Sequence, residues 1–357
     1  AEGYPGKRYY AGCENADEVE NLAISRGKKL FSSKHINVQP HSGSQANMAA
    51  YVSLLKPGDK ILSLSLDHGG HLSHGHNVNF SGKIYEIHNY YLNRESELLD
   101  YDQINDVAEK VKPKLIICGY SAYSRIIDFN KFKSISQKVD SLLMADIAHI
   151  AGLVVSGKHP SPVGIADIIT STTHKTLRGP RGGLAIIRED LSSKYDRGVF
   201  PAIQGGPLMN TILAKAAAFE EALSDNFIEY SQQIIDNAKV LANLFLDRGL
   251  RLVSGGTDNH LMLIDTRSIG INGDEAENKL NEVGIVVNKN AIPFDPMPPK
   301  ITSGIRIGTP AITSRQISND DLLKIGDVIV DCLSTSSKNT SVFSKEVQKI
   351  MNKLPLP

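Results

Sequence analysis

The chain has 357 residues, and its 39 Lys plus Arg are balanced by 39 Asp plus Glu, so the formal net charge is zero. That length accommodates two domains at about 150 residues each, and the neutral balance excludes the electrostatic footprint of a dedicated nucleic-acid binder. No stretch reaches the roughly 18 consecutive apolar residues needed to span a bilayer. The three cysteines, Cys13, Cys118 and Cys332, are far apart and odd in number. They argue against a disulfide framework or a zinc knuckle and fit a reducing, cytoplasmic setting. The opening Ala1-Glu2-Gly3-Tyr4-Pro5-Gly6 shows no strand or helix start, so residues are expected to precede it.

Along the chain, short apolar runs alternate with amphipathic stretches, the rhythm of an α/β protein with a mainly parallel sheet. Val19, Leu22, Ala23, Arg26 and Leu30 predict a helix over 17–31, and a second over 44–55 is stopped by Lys56-Pro57-Gly58. Strands are expected at 61–64, 83–86, 115–118, 141–146, 168–171 and 184–187, with helices at 102–111 and 129–139 between them. Long helices follow at 207–224 and 226–248. After Gly249 a strand at 260–264 and helices at 274–283, 320–334 and 342–352 make a smaller α+β unit, with Ser334–Thr340 as a loop. The expected division is a large domain over 1–222 and a small one over 223–357.

Three segments carry candidate chemistry. Lys175 follows a strand rich in hydroxyl residues and precedes Gly179-Pro180-Arg181-Gly182-Gly183. A partly desolvated lysine there can form an imine with an aldehyde cofactor, and a solvated loop lysine is the alternative. Asp146 ends the run 141–145, one crossover before Lys175, so both fall at the sheet edge where ligands bind. It can hold a pyridinium proton, cap Ala148, or ligate a metal together with His149. Ser42-Gly43-Ser44 opens a helix and makes either a phosphate cradle or a plain N-cap. Together they meet the needs of pyridoxal 5′-phosphate. There is no GxxxxGK[ST] loop, which disfavours a nucleotide triphosphatase. His68, His71, His74 and His76 fall within nine residues and invite a metal reading, but the HExxH pattern is absent, and one of them can instead stack on a flat ring. Arg306, in an apolar strand, needs an anion: a bound carboxylate or an internal ion pair.

AEGYPGKRYY followed by AGCE, then QPHSGSQAN, DHGGHLSHG, MADIAHIAGL, STTHKTLRGPRGG, QGGP and SGIRIGTPA, occur in order from Ala1 to Pro310 and beyond. This series resembles serine hydroxymethyltransferase, a fold-type I transferase dependent on pyridoxal phosphate. The resemblance implies interconversion of serine and glycine, with a one-carbon unit passed to or from tetrahydrofolate. It implies Lys175 as the imine-forming lysine, Asp146 on the pyridine nitrogen and His71 stacked on the ring. Ser121, His149 and Thr172 would lie against the cofactor, and Ser42, Gly43 and Ser44 would hold its phosphate. Arg306 would take the substrate carboxylate, and His174 would set reaction specificity. In a homodimer with shared sites, Glu2 and Tyr10 would come from the other subunit, and Gly205 and Gly206 would reach the neighbour's phosphate. Folate would lie by Leu66, Gly70, His71, Leu72, Asn290, Pro298, Pro299 and Lys300. No metal, nucleic-acid or membrane partner is implied. Ala11 stands where the family commonly has glycine, and the family's arm and tyrosine ahead of AEGYPG do not appear. The competing readings are a related pyridoxal enzyme such as a threonine aldolase, a metal-dependent hydrolase built on the four histidines, and a chain that only binds cofactor or a partner.

Overall fold

The computed structural model describes residues 1–335 and 340–356. The chain enters through a two-stranded antiparallel ribbon, β1 (Gly3–Tyr4) and β2 (Lys7–Arg8), where the sequence showed no strand start. Pro5-Gly6 makes the turn, with Gly6 at φ +71°, the value that favours glycine at the third position of a type II turn. Two-residue strands are too short to show alternation. What fixes the ribbon is Arg8, whose guanidinium donates to Asp17 and to the buried Glu20, each at 2.7 Å, on the following helix Glu14–Phe31.

The large sheet contains β3 (Ile36–Asn37), β4 (Lys60–Leu64), β5 (Glu86–Tyr90), β6 (Leu115–Cys118), β7 (Leu142–Asp146), β8 (Ile168–Thr172) and β9 (Gly183–Ile187). Their order is β3-β9-β8-β7-β6-β4-β5. β4 to β8 are parallel, and β9 runs against both β8 and β3. β6, β8 and β9 are buried along their whole length, as expected for strands covered on both faces. From β4 the chain steps outward to β5 and then returns to the other side with β6, β7 and β8. That reversal places a crevice at the carboxyl ends of β4 and β6, where open α/β sheets bind ligands.

The flanking helices start where the sequence supplies caps. The carboxylate of Asp100 accepts from Gln103 N–H ahead of Tyr101–Val111, and that of Asp128 from Asn130 and Lys131 N–H ahead of Phe129–Lys138. The expected strand over 83–86 is a correction. Asn79 caps a short helix, Phe80–Ile84, and the strand begins only at Glu86. β5 is an edge strand with one fully buried residue, Tyr90, so its apolar alternation is weak.

A second, all-antiparallel sheet comprises β10 (Arg251–Leu252), β11 (Leu261–Asp265), β12 (Asn288–Asn290) and β13 (Gly304–Gly308), in the order β10-β11-β13-β12. Helices Gly273–Glu282, Asn319–Ser334 and Thr340–Met351 belong to this region; Ser336–Asn339, within the expected loop, lie outside the described residues. Helix Asp225–Asp247 serves both cores. Phe227, Ile234 and Ile235 pack with the large-sheet core, while Leu241 and Phe245 pack with Met262, Ile305 and Ile329 of the second. Among the described residues no helix is long and apolar enough to cross a membrane.

Phe219 on helix Met209–Ala222 is fully buried in the large-sheet core. Phe219→Ala should cost about 3–5 kcal/mol of stability, read as a lowered urea midpoint with an unchanged slope.

Candidate active site

Asp146 is the last residue of β7, and its carboxylate is buried. It accepts from Asn47 Nδ2 and His74 Nε2, each at 2.9 Å, and from the Ala148 N–H at 3.0 Å. Burial works against its charge, but the hydrogen bonds from His74 and Asn47 outweigh it and hold the carboxyl well below the usual range. Asn47 is itself fixed, because the Thr170 hydroxyl on β8 donates to its Oδ1 at 2.6 Å. An ionised carboxylate at this strand end suits a cationic N–H on a bound ring.

Lys175 lies three residues past the end of β8. Burial lowers its pKa from the ordinary value, the Asp146 charge opposes that, and Arg306 and Arg181 reinforce it. Such a lysine reaches the free amine, the form that adds to an aldehyde, more readily than a solvated one. Lys175 and Asp146 share a cavity of about 190 Å³ with Ser42, Gly43, Ser44 and His71. Ser42 caps helix Gly43–Leu54, its hydroxyl accepting from Gln45 N–H at 3.2 Å. A Cβ added at Gly43 would lie 2.6 Å from Cγ2 of Thr172, so only glycine lets the helix start sit against β8. The first-turn N–H groups thus face a pocket that also holds an amine and a carboxylate. That is the donor set for an anionic, pyridine-based aldehyde, and the residues fit pyridoxal phosphate.

A wider cleft of about 650 Å³ meets this cavity at His149, His174 and Lys175 and carries His260 and Arg306. Arg306, on β13, donates to Asn288 Oδ1 at 3.1 Å and to the Ser121 carbonyl at 2.8 Å. Among the described residues no carboxylate pairs with its guanidinium. His149 Nδ1 stands 3.4 Å from His260 Nε2. Burial keeps both imidazoles neutral: His149 well below its usual range, and His260 at about 3. Burial also pushes His71 down to about 4, and its Nδ1 accepts from Ser73 N–H at 3.2 Å. His174 lies 3.2 Å from the Arg181 guanidinium and is likewise lowered by burial. Asp146 is the single carboxylate among the described residues of the two clefts.

The four clustered histidines go separate ways, and among the described residues no group of three or more His, Cys, Asp or Glu could hold a metal ion. His74 serves Asp146 and His71 faces the cavity. His68 packs edge-to-face with Tyr91 and Phe294, with ring centroids at 5.1 and 4.5 Å. His76 Nδ1 accepts weakly from Val78 N–H. Of the folate candidates His71 lines the lysine cavity, and the others lie outside it in two regions. Leu66 shares a hollow of about 460 Å³ with His71, near Gly70 and the exposed Leu72. Asn290 lies on β12, and Pro298, Pro299 and Lys300 are exposed beyond it. The contact of His68 with Phe294 joins the two regions.

Glu2, Tyr10, Gly205 and Gly206 do not line the cavity of their own chain. Glu2 lies instead against Gly206, its Oε1 3.3 Å from where a Cβ would stand. Tyr9 and Tyr10 are 79% and 58% exposed. Sequence reasoning missed Asn47, His260 and Asn288 as site residues, gave Arg181 no role, and read His74 as a metal ligand or ring-stacking histidine rather than as the partner of Asp146. Asn47 carried a signal, being four residues after Gly43 and so on the same helix face. His260 carried none, because only the fold brings it to His149.

The unfolded chain takes up a proton near pH 6.5 that folded His260 refuses until about 3. Stability of the cofactor-free protein should therefore be full above that upper value and fall as the pH drops through this window. In His260→Gln the fall should be shallower, as checked by chemical denaturation at a series of pH values.

Comparison with known proteins agrees with this geometry. A family model described as serine hydroxymethyltransferase matches residues 1–329. The chain is 53% identical over 359 aligned positions to the serine hydroxymethyltransferase of Nostoc sp. (strain PCC 7120), covering 100% of this chain and 84% of that protein. With its cavity, its lysine and its unpaired arginine, the chain belongs to the serine hydroxymethyltransferase family of fold-type I, pyridoxal-phosphate-dependent enzymes.

Proposed function

We propose that Lys175, Asp146 and Arg306 carry the chemistry by which this enzyme interconverts serine and glycine. Pyridoxal 5′-phosphate is the cofactor, and tetrahydrofolate takes up or returns the one-carbon unit. The observation that carries this assignment is Arg306: a half-buried guanidinium without a carboxylate partner among the described residues, on a cleft that also opens on Lys175. Bound in that site, the cofactor supplies an electron sink for breaking the bond between the α- and β-carbons.

The protein's own residues do the rest. The amine of Lys175 would hold the cofactor through its aldehyde carbon. Asp146, kept ionised, would accept the ring N–H. Ser42, Gly43 and Ser44 would hold the phosphate, Thr172 would lie against the cofactor, and His71 would stack on its ring. Ser121 and His149 would lie near the phenolic oxygen, where a neutral imidazole can donate without adding charge. Arg306 would grip the substrate carboxylate by two N–H groups and so fix the orientation of the substrate's α-carbon in the cleft. His174, next to the lysine, tunes which bond breaks. Leu66, Gly70, Leu72, Asn290 and Pro298–Lys300 are assigned to folate, supported by the His68–Phe294 contact that joins their loops.

The enzyme works as a homodimer in the cytoplasm, with a large domain over 1–222 and a small one over 223–357. Glu2 and Tyr10 of a second copy complete each site, Glu2 taking the proton from the serine hydroxyl. Gly205 and Gly206 reach the second copy's phosphate. Two observations support sharing: Glu2 and Gly206 lie together and do not line the cavity of their own Lys175, and among the described residues the two clefts hold no carboxylate besides Asp146. The free Cys13, Cys118 and Cys332 support the compartment.

Arg306→Lys should raise KM for serine about 10–100-fold with a smaller change in kcat, because a lysine cannot make the two-point grip. Steady-state kinetics at saturating tetrahydrofolate would show it; an unchanged KM would remove Arg306 from the carboxylate site. Shared sites are checked by mixing Lys175→Ala and Glu2→Gln proteins after dissociation and reassociation. Each alone should be inactive, and the mixture should regain about a quarter of wild-type activity, since half the dimers hold one intact site. Failure to regain activity, with mixed dimers confirmed by mass spectrometry, would place Glu2 in its own chain's site.

A further inference from the structure

Lys215 is a buried lysine that the reaction does not use. Only 1% of it is exposed, yet it lies inside helix Met209–Ala222. Its Nζ donates to three backbone carbonyls: Val38 at 2.6 Å, Gly183 at 2.7 Å and Pro40 at 3.1 Å. Three acceptors take all three protons of an ammonium, whereas a neutral amine has only two to give. The acceptors belong to the segment leading from β3 to Ser42 and to the first residue of β9. There the Gly183 N–H also donates to the Pro40 carbonyl at 2.9 Å. Gln204 grips the same segment from its other side. Its Nε2 donates to the Gln39 carbonyl at 2.9 Å, and its Oε1 accepts the His41 N–H at 3.3 Å.

We propose that Lys215 and Gln204 are positioning residues for the cofactor phosphate, holding residues 38–42 in the shape that presents Ser42 and the start of helix Gly43–Leu54 to the anion. The proposal rests on the assignment of Ser42, Gly43 and Ser44 to the phosphate.

A loop that serves as an anion cradle points its N–H groups at the ligand and so turns carbonyls away from it. Buried carbonyls need donors, and each one left unpaired carries a desolvation penalty. Lys215 and Gln204 supply those donors from behind, at Val38, Gln39 and Pro40. In its ammonium form, which the three carbonyl acceptors favour, Lys215 also puts a positive charge behind the cradle, in a region of low dielectric where it favours an arriving phosphate dianion. Burial lowers its pKa to about 7, and the nearby Glu20 charge acts the other way. An apolar residue would fill the same space but supply neither donors nor charge.

The test compares two ligands that differ only in the phosphate. Cofactor-free wild type, Lys215→Met and Gln204→Leu are titrated with pyridoxal 5′-phosphate and with pyridoxal, following the absorbance of the lysine-bound chromophore. Lys215→Met should weaken pyridoxal 5′-phosphate binding about 10–100-fold, while pyridoxal binding stays within about two-fold of wild type. Gln204→Leu should act in the same direction with a smaller ratio, and it carries the test if circular dichroism shows Lys215→Met to be unfolded. An equal loss for both ligands, or no loss for either, would overturn the proposal. Ser44→Ala is the control for the underlying assignment. If it does not change the ratio of the two affinities, the phosphate site itself is misplaced. If it does and the other two variants do not, only the positioning role falls.

Discussion

A carboxylate cannot be left bare at the end of a buried strand, and the surroundings of the large sheet are arranged around satisfying one. Asp146 takes hydrogen bonds from Asn47 on helix Gly43–Leu54, from His74 on the loop after β4, and from the Ala148 backbone. Those partners come from three parts of the sequence, so the buried charge fixes how the helix and the loop sit on the sheet. Removing one partner would leave a buried charge partly unpaired, which is far more costly than losing a surface contact. The same contacts that place these segments keep Asp146 ionised.

Around that one negative group the clefts are built from neutral and positive ones. His71, His149 and His260 are kept uncharged by burial, while Arg306 and Arg181 are cations. The balance favours ligands that bring negative charge, as a phosphate and an amino-acid carboxylate do. Neutral imidazoles at this position donate and accept without competing with Lys175 or Arg306 for those anions. The chain therefore spends its charges where the ligands bear theirs.

Much of this was legible in the sequence, and for separable reasons. The strand ending in Asp146 reads as a continuous apolar run, the one ending in Thr172 as two isoleucines followed by small hydroxyl residues, and both were placed to within a residue. The helix expected over 129–139 is found at Phe129–Lys138, again to within a residue. The expected strand at 83–86 fails because Asn79 caps a short helix there, and the edge strand that follows from Glu86 has only Tyr90 fully buried, so its own pattern is weak. The N-terminal ribbon is held by a buried ion pair between Arg8 and Glu20, which no local pattern reveals. Within the site, residues carried by motifs were found, and those delivered by tertiary contact were not. His74 was noticed as one of four histidines, but its bond to Asp146 spans 72 positions. His260 is 111 positions from His149, and Asn288 meets Arg306 only through the pairing of β12 with β13.

Helix Asp225–Asp247 bears on how the molecule comes apart. Its 23 residues form a rod about 34 Å long, with one end sunk in each core. Half a helix gains little from propensity alone, because most helical stability comes from the packed face. Loss of either core would therefore strip packing from one end of the rod and loosen its grip on the other. The two halves of the protein are coupled in unfolding, and a heat or urea transition should be a single cooperative event rather than two.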